Sequence, residues 1–159
     1  MAHHILERND TMTYEGVDFS DVMFDIARET VGEAIARVTL TSANFMDNSW
    51  PATLSQQPGA MISTWALHDL GGQQAVADVY ARCFETLPPG GVLVNGDFIK
   101  PVGTTFEYEP GRFPVARHLE LLVDAVLVCT HQIFEQFEVC QFVKKRRISG
   151  VISKYLEVF

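Results

Sequence analysis

Apolar residues are spaced in two ways along this chain, as short continuous runs and at helical intervals, and the alternation of the two predicts a mixed α/β fold. Ala60–Thr64 and residues 92–95 are short apolar runs without polar alternation, which is typical of parallel strands buried on both faces. Between them, residues 71–87 carry apolar side chains at three- and four-residue intervals, the spacing of a helix that packs on a sheet. Strand, helix and strand together predict a βαβ unit.

The boundaries of the remaining elements follow from the same pattern and from the residues that interrupt it. The sequence Leu-Pro-Pro-Gly-Gly at residues 87–91 ends the helix, because proline excludes the preceding residue from the α region and paired glycines permit positive φ. Ser20 is the expected N-cap of a helix over Asp21–Val31. The apolar side of that helix is predicted to consist of Val22, Phe24, Ile26, Ala27 and Val31. Further helices are predicted over residues 1–8 and 113–125, and further strands over 12–17, 37–43, 126–130 and 137–143.

The charge, the cysteines and the length of the apolar runs indicate which kinds of partner this chain is expected to bind. The net charge is −8, and the chain has no extended basic patch apart from the four basic residues 144–147, so a nucleic acid is not an expected partner. The three cysteines lack Cys-x-x-Cys spacing, so we expect neither a disulfide framework nor a metal site, and the cytoplasm is the simplest location. No run approaches the roughly 18 apolar residues of a membrane span, so no membrane partner is expected.

Two segments at a fixed separation resemble one protein family. Residues 62–70 read Ile-Ser-Thr-Trp-Ala-Leu-His-Asp-Leu, and residues 87–93 read Leu-Pro-Pro-Gly-Gly-Val-Leu. Their order and spacing are similar to the second half of class I S-adenosylmethionine-dependent methyltransferases. A lone Pro-Gly-Gly would be a weak signal, whereas both segments flanking one helix are a specific one.

The resemblance implies a Rossmann-like, mostly parallel sheet with helices on both faces and an antiparallel closing strand pair. Residues 1–147 would form a partial methyltransferase-like domain, and residues 148–159 a C-terminal extension of unknown role. In the family, the first strand lies in the middle of the sheet and leads into a Gly-x-Gly-x-Gly loop that approaches the cofactor. This sequence contains no such run. We therefore expect the first strand to be missing, and the strands near Val17 and Ile62 to lack a partner.

The resemblance also implies S-adenosylmethionine as the cofactor. Asp18 follows a predicted strand, where its carboxylate could accept hydrogen bonds from ribose hydroxyls, although capping of the next helix is the alternative. Asn44 stands where the family has an acid; its amide oxygen could accept a hydrogen bond, and a plain turn is the alternative. The residues expected to bind the cofactor are Asp18, Phe19, Asn44, Phe45, Ser63, Thr64 and Trp65.

The expected acceptor is a small molecule, because the chain is acidic and the loop over residues 104–112 could close over a compact pocket. The residues expected to line the substrate pocket are His68, Asp97, Phe106 and Tyr108. No catalytic residue is assigned, since the sulfonium already activates the methyl group and the protein has mainly to orient the reactants. His68 is expected to be a polar pocket residue, with general-base catalysis as the alternative. Because His68 and Asp69 are adjacent, we expect them to point apart and to form no relay.

Three functions remain open. The chain could be a truncated or degenerate methyltransferase, or a non-catalytic ligand- or partner-binding module with the same fold, so its status as an enzyme is undecided. A nicotinamide-dependent oxidoreductase would share an acid like Asp18 but usually adds a Tyr-x-x-x-Lys pair, which this sequence lacks. A missing strand would also make a homo-oligomer, or a second chain that completes the sheet, a natural partner.

Overall fold

The computed structural model describes residues 1–101, 103–105, 107–124, 127–134 and 137–144. Helices and strands alternate along these residues, as the apolar pattern predicts. Phe106 and residues 148–159, which figure in the sequence predictions, lie outside the described residues. The elements are α1 (Ala2–Arg8), β1 (Tyr14–Asp18), α2 (Asp21–Val31), β2 (Val38–Ser42), β3 (Ala60–Thr64), α3 (Gln73–Thr86), β4 (Val92–Asp97), α4 (Val115–Asp124), β5 (Leu127–Phe134) and β6 (Phe137–Lys144).

The described strands form two separate sheets. Strands β1 and β2 pair in parallel, with Tyr14 opposite Val38 and Asp18 opposite Ser42. The other four strands are ordered β3-β4-β6-β5. Strand β3 is parallel to β4, whereas β6 runs antiparallel to both β4 and β5. Two parallel strand pairs, two antiparallel pairs at the closing strands β5 and β6, and the intervening helices confirm the predicted α/β fold class, with a smaller share of parallel pairing than expected.

No ladder connects β1 to β3 in the described part of the chain, so each strand has one open edge. The N–H group of Ala43 donates to the carbonyl of Asp18, which therefore faces β2. Alternate residues of a strand point their peptide groups to opposite sides, so those of Glu15 and Val17 face away from β2. By the same alternation, the N–H group of Trp65 faces β4, and the peptide group of Ile62 faces away from it. The predicted pair of strands without a central partner is confirmed.

Side chains in the loop after β2 tie the two-stranded sheet to the rest of the molecule. The Glu15 carboxylate accepts hydrogen bonds from the backbone N–H and the hydroxyl of Ser55, at 3.1 and 2.8 Å, and also bonds the Thr41 hydroxyl. Burial alone would raise the pKa of Glu15, but the hydrogen bonds from Thr41 and Ser55 outweigh it and lower the pKa. Contacts of this kind compensate in part for the missing ladder.

The main core lies where α3 and α4 cover β4. On β4 the buried positions alternate, as expected for a strand with one face against helices. Leu6, Phe24 and Val31 are buried apart from this cluster, around α1 and α2. The members of the main core are Trp50, Leu67, Val76, Val79, Tyr80, Cys83, Leu87, Leu93, Phe113, Leu121 and Leu122.

One predicted packing face is partly wrong. Helix α2 begins after Ser20, whose hydroxyl accepts from the N–H of Met23 as an N-cap, and its Phe24 and Val31 are buried. Val22 and Ile26, however, are 67% and 50% exposed. The apolar residues of α2 point in two directions around the helix, and the structure buries only one of them. Apolar content alone does not reveal which direction meets the sheet.

Candidate functional site

The carboxyl end of β4 carries a buried carboxylate that organises the loop after β3. Asp97 is 2% exposed, and one of its oxygens accepts the backbone N–H groups of Leu67 and His68 at 2.9 and 3.1 Å. The other oxygen accepts the N–H of Phe98 at 2.8 Å and lies 2.6 Å from Nδ1 of His68. A carboxylate enclosed this tightly needs such partners, and three of the four come from the short loop after β3.

The His68–Asp97 contact defines the orientation of the histidine ring. Because a carboxylate oxygen only accepts, Nδ1 of His68 carries the proton in this pair, and Nε2 is the ring nitrogen that faces away from Asp97. Asp69 was expected to point away from His68, but its carboxylate lies 3.4 Å from Nε2. Asp69 is exposed, so it can move aside for a ligand. The sequence analysis placed His68 and Asp97 in one pocket without predicting this pairing.

Gly111 lets the loop around His68 lie close to the chain beyond β4. A Cβ atom at position 111 would lie 2.4 Å from the carbonyl oxygen of Leu67 and 2.8 Å from that of His68. Real Cβ atoms do not approach backbone oxygen so closely, so only glycine fits without a shift of the loop. The need for glycine at position 111 is not visible in the sequence, because such an approach depends on segments distant in the chain.

Trp65 is an exposed aromatic residue at the end of β3. It has a φ of 54°, which a bulky side chain adopts only at a cost, and it is 61% exposed. Its indole stacks on Phe98 at 5.8 Å with an interplanar angle of 16°, and Phe98 meets His68 edge-on at 5.1 Å. The three rings form a wall, the Trp65–Phe98–His68 wall, beside Nε2 of His68.

Arg112 connects Phe98 of this wall to Tyr108. Its Nε donates to the carbonyl of Ile99 at 2.8 Å, which fixes the guanidinium between two rings. The guanidinium carbon lies 5.4 Å from the centre of Phe98 and 4.4 Å from that of Tyr108, distances suited to cation–π attraction. Tyr108, predicted to line the substrate pocket, is thus joined to the wall through Arg112. The sequence analysis missed Arg112.

Asp18 at the end of β1 already has a structural role. One of its carboxylate oxygens accepts the N–H of Ser20 at 2.9 Å, a local turn contact; the N-cap of α2 is Ser20 and not Asp18, the residue that the sequence offered for capping. The residue is half-buried. The neighbouring Phe19 is 75% exposed, so its ring is available to a ligand. Cofactor binding by Asp18 and Phe19 stays a prediction.

Asn44 and Phe45, at the end of β2, are engaged within the protein. The amide oxygen of Asn44 accepts the N–H of Met46 at 2.9 Å, so the atom expected to meet the cofactor instead stabilises a turn. Phe45 packs edge-on against Trp50 at 5.1 Å and against the main core. The amide oxygen of Asn44 can accept a second hydrogen bond, and cofactor binding by these two residues stays a prediction.

Ser63 and Thr64 end strand β3 beside Trp65. Thr64 is exposed, whereas the hydroxyl of Ser63 is buried and has no hydrogen-bond partner among the described residues. A buried hydroxyl without a partner is unfavourable, so a bound polar group or a water molecule would stabilise it. Of the seven predicted cofactor residues, Ser63, Thr64 and Trp65 lie next to the wall.

Several solved methyltransferase structures have the same architecture as this chain. An O-methyltransferase family protein from Burkholderia thailandensis superposes with a TM-score of 0.78 over 92% of this chain, at 15% identity, and the match covers 48% of that protein. An O-methyltransferase family 2 protein from Planctomyces limnophilus, in complex with apigenin, gives 0.73 over 90% of this chain and 46% of its own, at 17% identity. This chain has the fold of a class I methyltransferase.

Human N-acetylserotonin methyltransferase in complex with SAM, at 13% identity, shares the methyltransferase fold with a TM-score of 0.70 over 91% of this chain and 44% of its own. The chain therefore spans about half the length of these methyltransferase structures. No protein-family model and no curated protein matches it. Among the described residues, none of the helices combines the length and apolar character needed to cross a membrane.

Proposed function

We propose that this chain contributes the acceptor side and part of the cofactor site of an S-adenosylmethionine-dependent transfer of a methyl group to a small-molecule hydroxyl. The observation that supports this proposal is the His68–Asp97 pair in the Trp65–Phe98–His68 wall, whose outer ring, Trp65, is exposed. Asp97 keeps the proton on Nδ1, so Nε2 can take the proton of an acceptor hydroxyl as its oxygen attacks the methyl group. Bound S-adenosylmethionine would supply an electrophilic methyl group.

The residues present fit part of this cofactor. Trp65 and Phe19 offer exposed rings, Ser63 offers a buried hydroxyl, and Asp18 offers a half-buried carboxylate. The sequence lacks a Gly-x-Gly-x-Gly loop, whose backbone N–H groups would supply two or three further hydrogen bonds. Their loss, about 3–4 kcal/mol, would weaken binding roughly a hundredfold to a thousandfold.

We further propose that another strand completes the sheet at the open edges of β1 and β3. The outward-facing peptide groups of Glu15, Val17 and Ile62 are suited to parallel pairing. Residues encoded upstream of Met1 are the simplest source, and a second copy or a different protein the alternatives. Sedimentation velocity would reveal a stable homo-oligomer. The cytoplasm is the proposed location, from the cysteine usage.

Calorimetric titration with S-adenosylhomocysteine tests this proposal on two proteins: the 159-residue chain and a version extended by about 40–60 upstream residues, enough for a strand, a loop and most of a helix. We expect weak or no binding by the shorter protein and clear binding by the longer one. Tight binding by the shorter protein would show that it has its own complete site. No binding by either would favour the second candidate, a non-catalytic binding module, which the engaged side chains of Asn44 and Phe45 also favour.

The proton-transfer role is tested in whichever version binds. His68→Gln and Asp97→Asn should keep S-adenosylhomocysteine binding within a few-fold but abolish methyl transfer to a phenolic acceptor set. His4→Gln is the matched control, because His4 is an exposed histidine outside the site. Full transfer by His68→Gln would exclude His68 as the base.

A further inference from the structure

Helix α1 carries three metal-ligating side chains on one surface, remote in sequence from the His68 site. Nε2 of His3 lies 3.1 Å from one oxygen of Glu7, and Nδ1 of His4 lies 3.5 Å from the other. One ligand atom from each residue can be chosen so that all three atoms lie within 4.8 Å of one another. Residues three and four apart on a helix are neighbours, so the spacing follows from α1 itself.

We propose that His3, His4 and Glu7 form a binding site for a divalent transition metal of the zinc type. In a tetrahedral site with Zn–N and Zn–O bonds of about 2.0–2.1 Å, ligand atoms lie about 3.3–3.4 Å apart. The two measured His–Glu separations, each to a different oxygen of Glu7, lie on either side of that value, and the three ligand atoms within 4.8 Å of one another need only a small side-chain shift to meet a metal. Two imidazoles and one carboxylate are a ligand set that zinc, copper and nickel accept, with water in the remaining positions.

The residues and charges around the three side chains determine how tightly the site can bind a metal ion. The net charge of −8 attracts cations to the whole chain. Nδ1 of His3, however, is buried without a hydrogen-bond partner in the described structure, so the ring lacks the second contact that usually orients a metal-bound histidine. His4 and Glu7 are mostly exposed and must become ordered. We therefore expect micromolar rather than nanomolar affinity.

The metal would complete an anchoring that the structure already provides at the other end of α1. The guanidinium of Arg37 donates to the carbonyl oxygens of Leu6, Asn9 and Met12, which holds the C-terminal end. A helix of seven residues is too short to be stable alone, and its first turn has no side-chain cap. A metal bound by His3 and Glu7 would join the first turn to the second.

The test uses the 159-residue chain purified without a polyhistidine tag and titrated calorimetrically with Zn²⁺. Co²⁺ is the spectroscopic probe, because tetrahedral coordination gives it an intense visible absorption. We expect one metal per chain and a thermal stabilisation that follows occupancy. His3→Gln and Glu7→Gln should each weaken binding about tenfold or more. Asp10→Asn, which changes an exposed carboxylate just beyond α1, should bind like the parent.

Each outcome decides the matter. Equal loss in the two ligand variants, with Asp10→Asn unchanged, would support the site. Zinc binding that persists in both His3→Gln and Glu7→Gln would place the metal elsewhere. No binding up to millimolar Zn²⁺ would show that the three side chains are joined only by histidine–carboxylate hydrogen bonds. Circular dichroism of the variants without metal checks that the fold is retained.

Discussion

His118 should make the protein acid-sensitive, because it is buried in its neutral form. The side chain is 4% exposed and stacks on Phe113 at 4.0 Å. Its Nδ1 lies 2.8 Å from the hydroxyl of Tyr80, which in turn accepts from the amide of Asn95 at 3.2 Å. A neutral His118 ring can accept the Tyr80 proton at Nδ1, and burial of the ring favours this neutral form.

Burial lowers the pKa of His118 to about 4, from 6.5. Between these two values the unfolded chain binds a proton that the folded chain does not, so stability is complete above pH 6.5 and falls as the pH drops toward 4. At about 1.4 kcal/mol per pH unit, the full loss is about 3 kcal/mol. Between pH 7 and pH 5 it should be about 2 kcal/mol.

Urea unfolding at pH 7 and pH 5, in the presence of a chelator, measures this loss. The variant His118→Asn keeps an acceptor near the Tyr80 hydroxyl but has no side chain that titrates. Its free energy of unfolding should be lower than that of the parent at pH 7. Between pH 7 and pH 5 it should lose about 2 kcal/mol less than the parent does. His4→Gln is the matched control: His4 is exposed, and its replacement should leave the pH dependence nearly unchanged. If His118→Asn and the parent protein lose the same stability between pH 7 and pH 5, the reasoning is refuted.

Three further changes test the site. Gly111→Ala should destabilise the fold by about 1–3 kcal/mol in urea unfolding, because its Cβ overlaps the Leu67 carbonyl, whereas Gly59→Ala, with open space around it, should be nearly neutral; equal effects would contradict the close approach. Trp65→Gly should be about 1 kcal/mol more stable than Trp65→Ala, because φ at this position is 54°, and a reversed order would show that the conformation relaxes. Asp18→Ala, in a version that binds S-adenosylhomocysteine, should lose about 1.5–3 kcal/mol of binding free energy by calorimetry, and unchanged affinity would leave Asp18 only its structural contact with the N–H of Ser20.

Patterns among neighbouring residues were sufficient to predict the helices and strands and their order along the chain. The two apolar runs at β3 and β4, the helical spacing between them and the Leu-Pro-Pro-Gly-Gly stop each depend on residues that are close in the chain. The Ser20 cap was predictable for the same reason. Strand β4, predicted to start at residues 92–95, runs to Asp97, which pairs with Glu138 of β6. The missing central strand was predictable from the absence of a glycine loop.

Contacts between distant residues required the tertiary structure. Asp97 meets His68 across 29 residues, and no local pattern signals that pairing. Gly111 is needed only because the loop at Leu67 passes over it, and Asn44 turns its amide oxygen to Met46 rather than outward. The sequence by itself determined which residues form helices and strands, since propensity and periodicity act over a few residues. Only the fold decided which polar groups meet, because the pairing of buried charges depends on segments that the chain brings together from far apart.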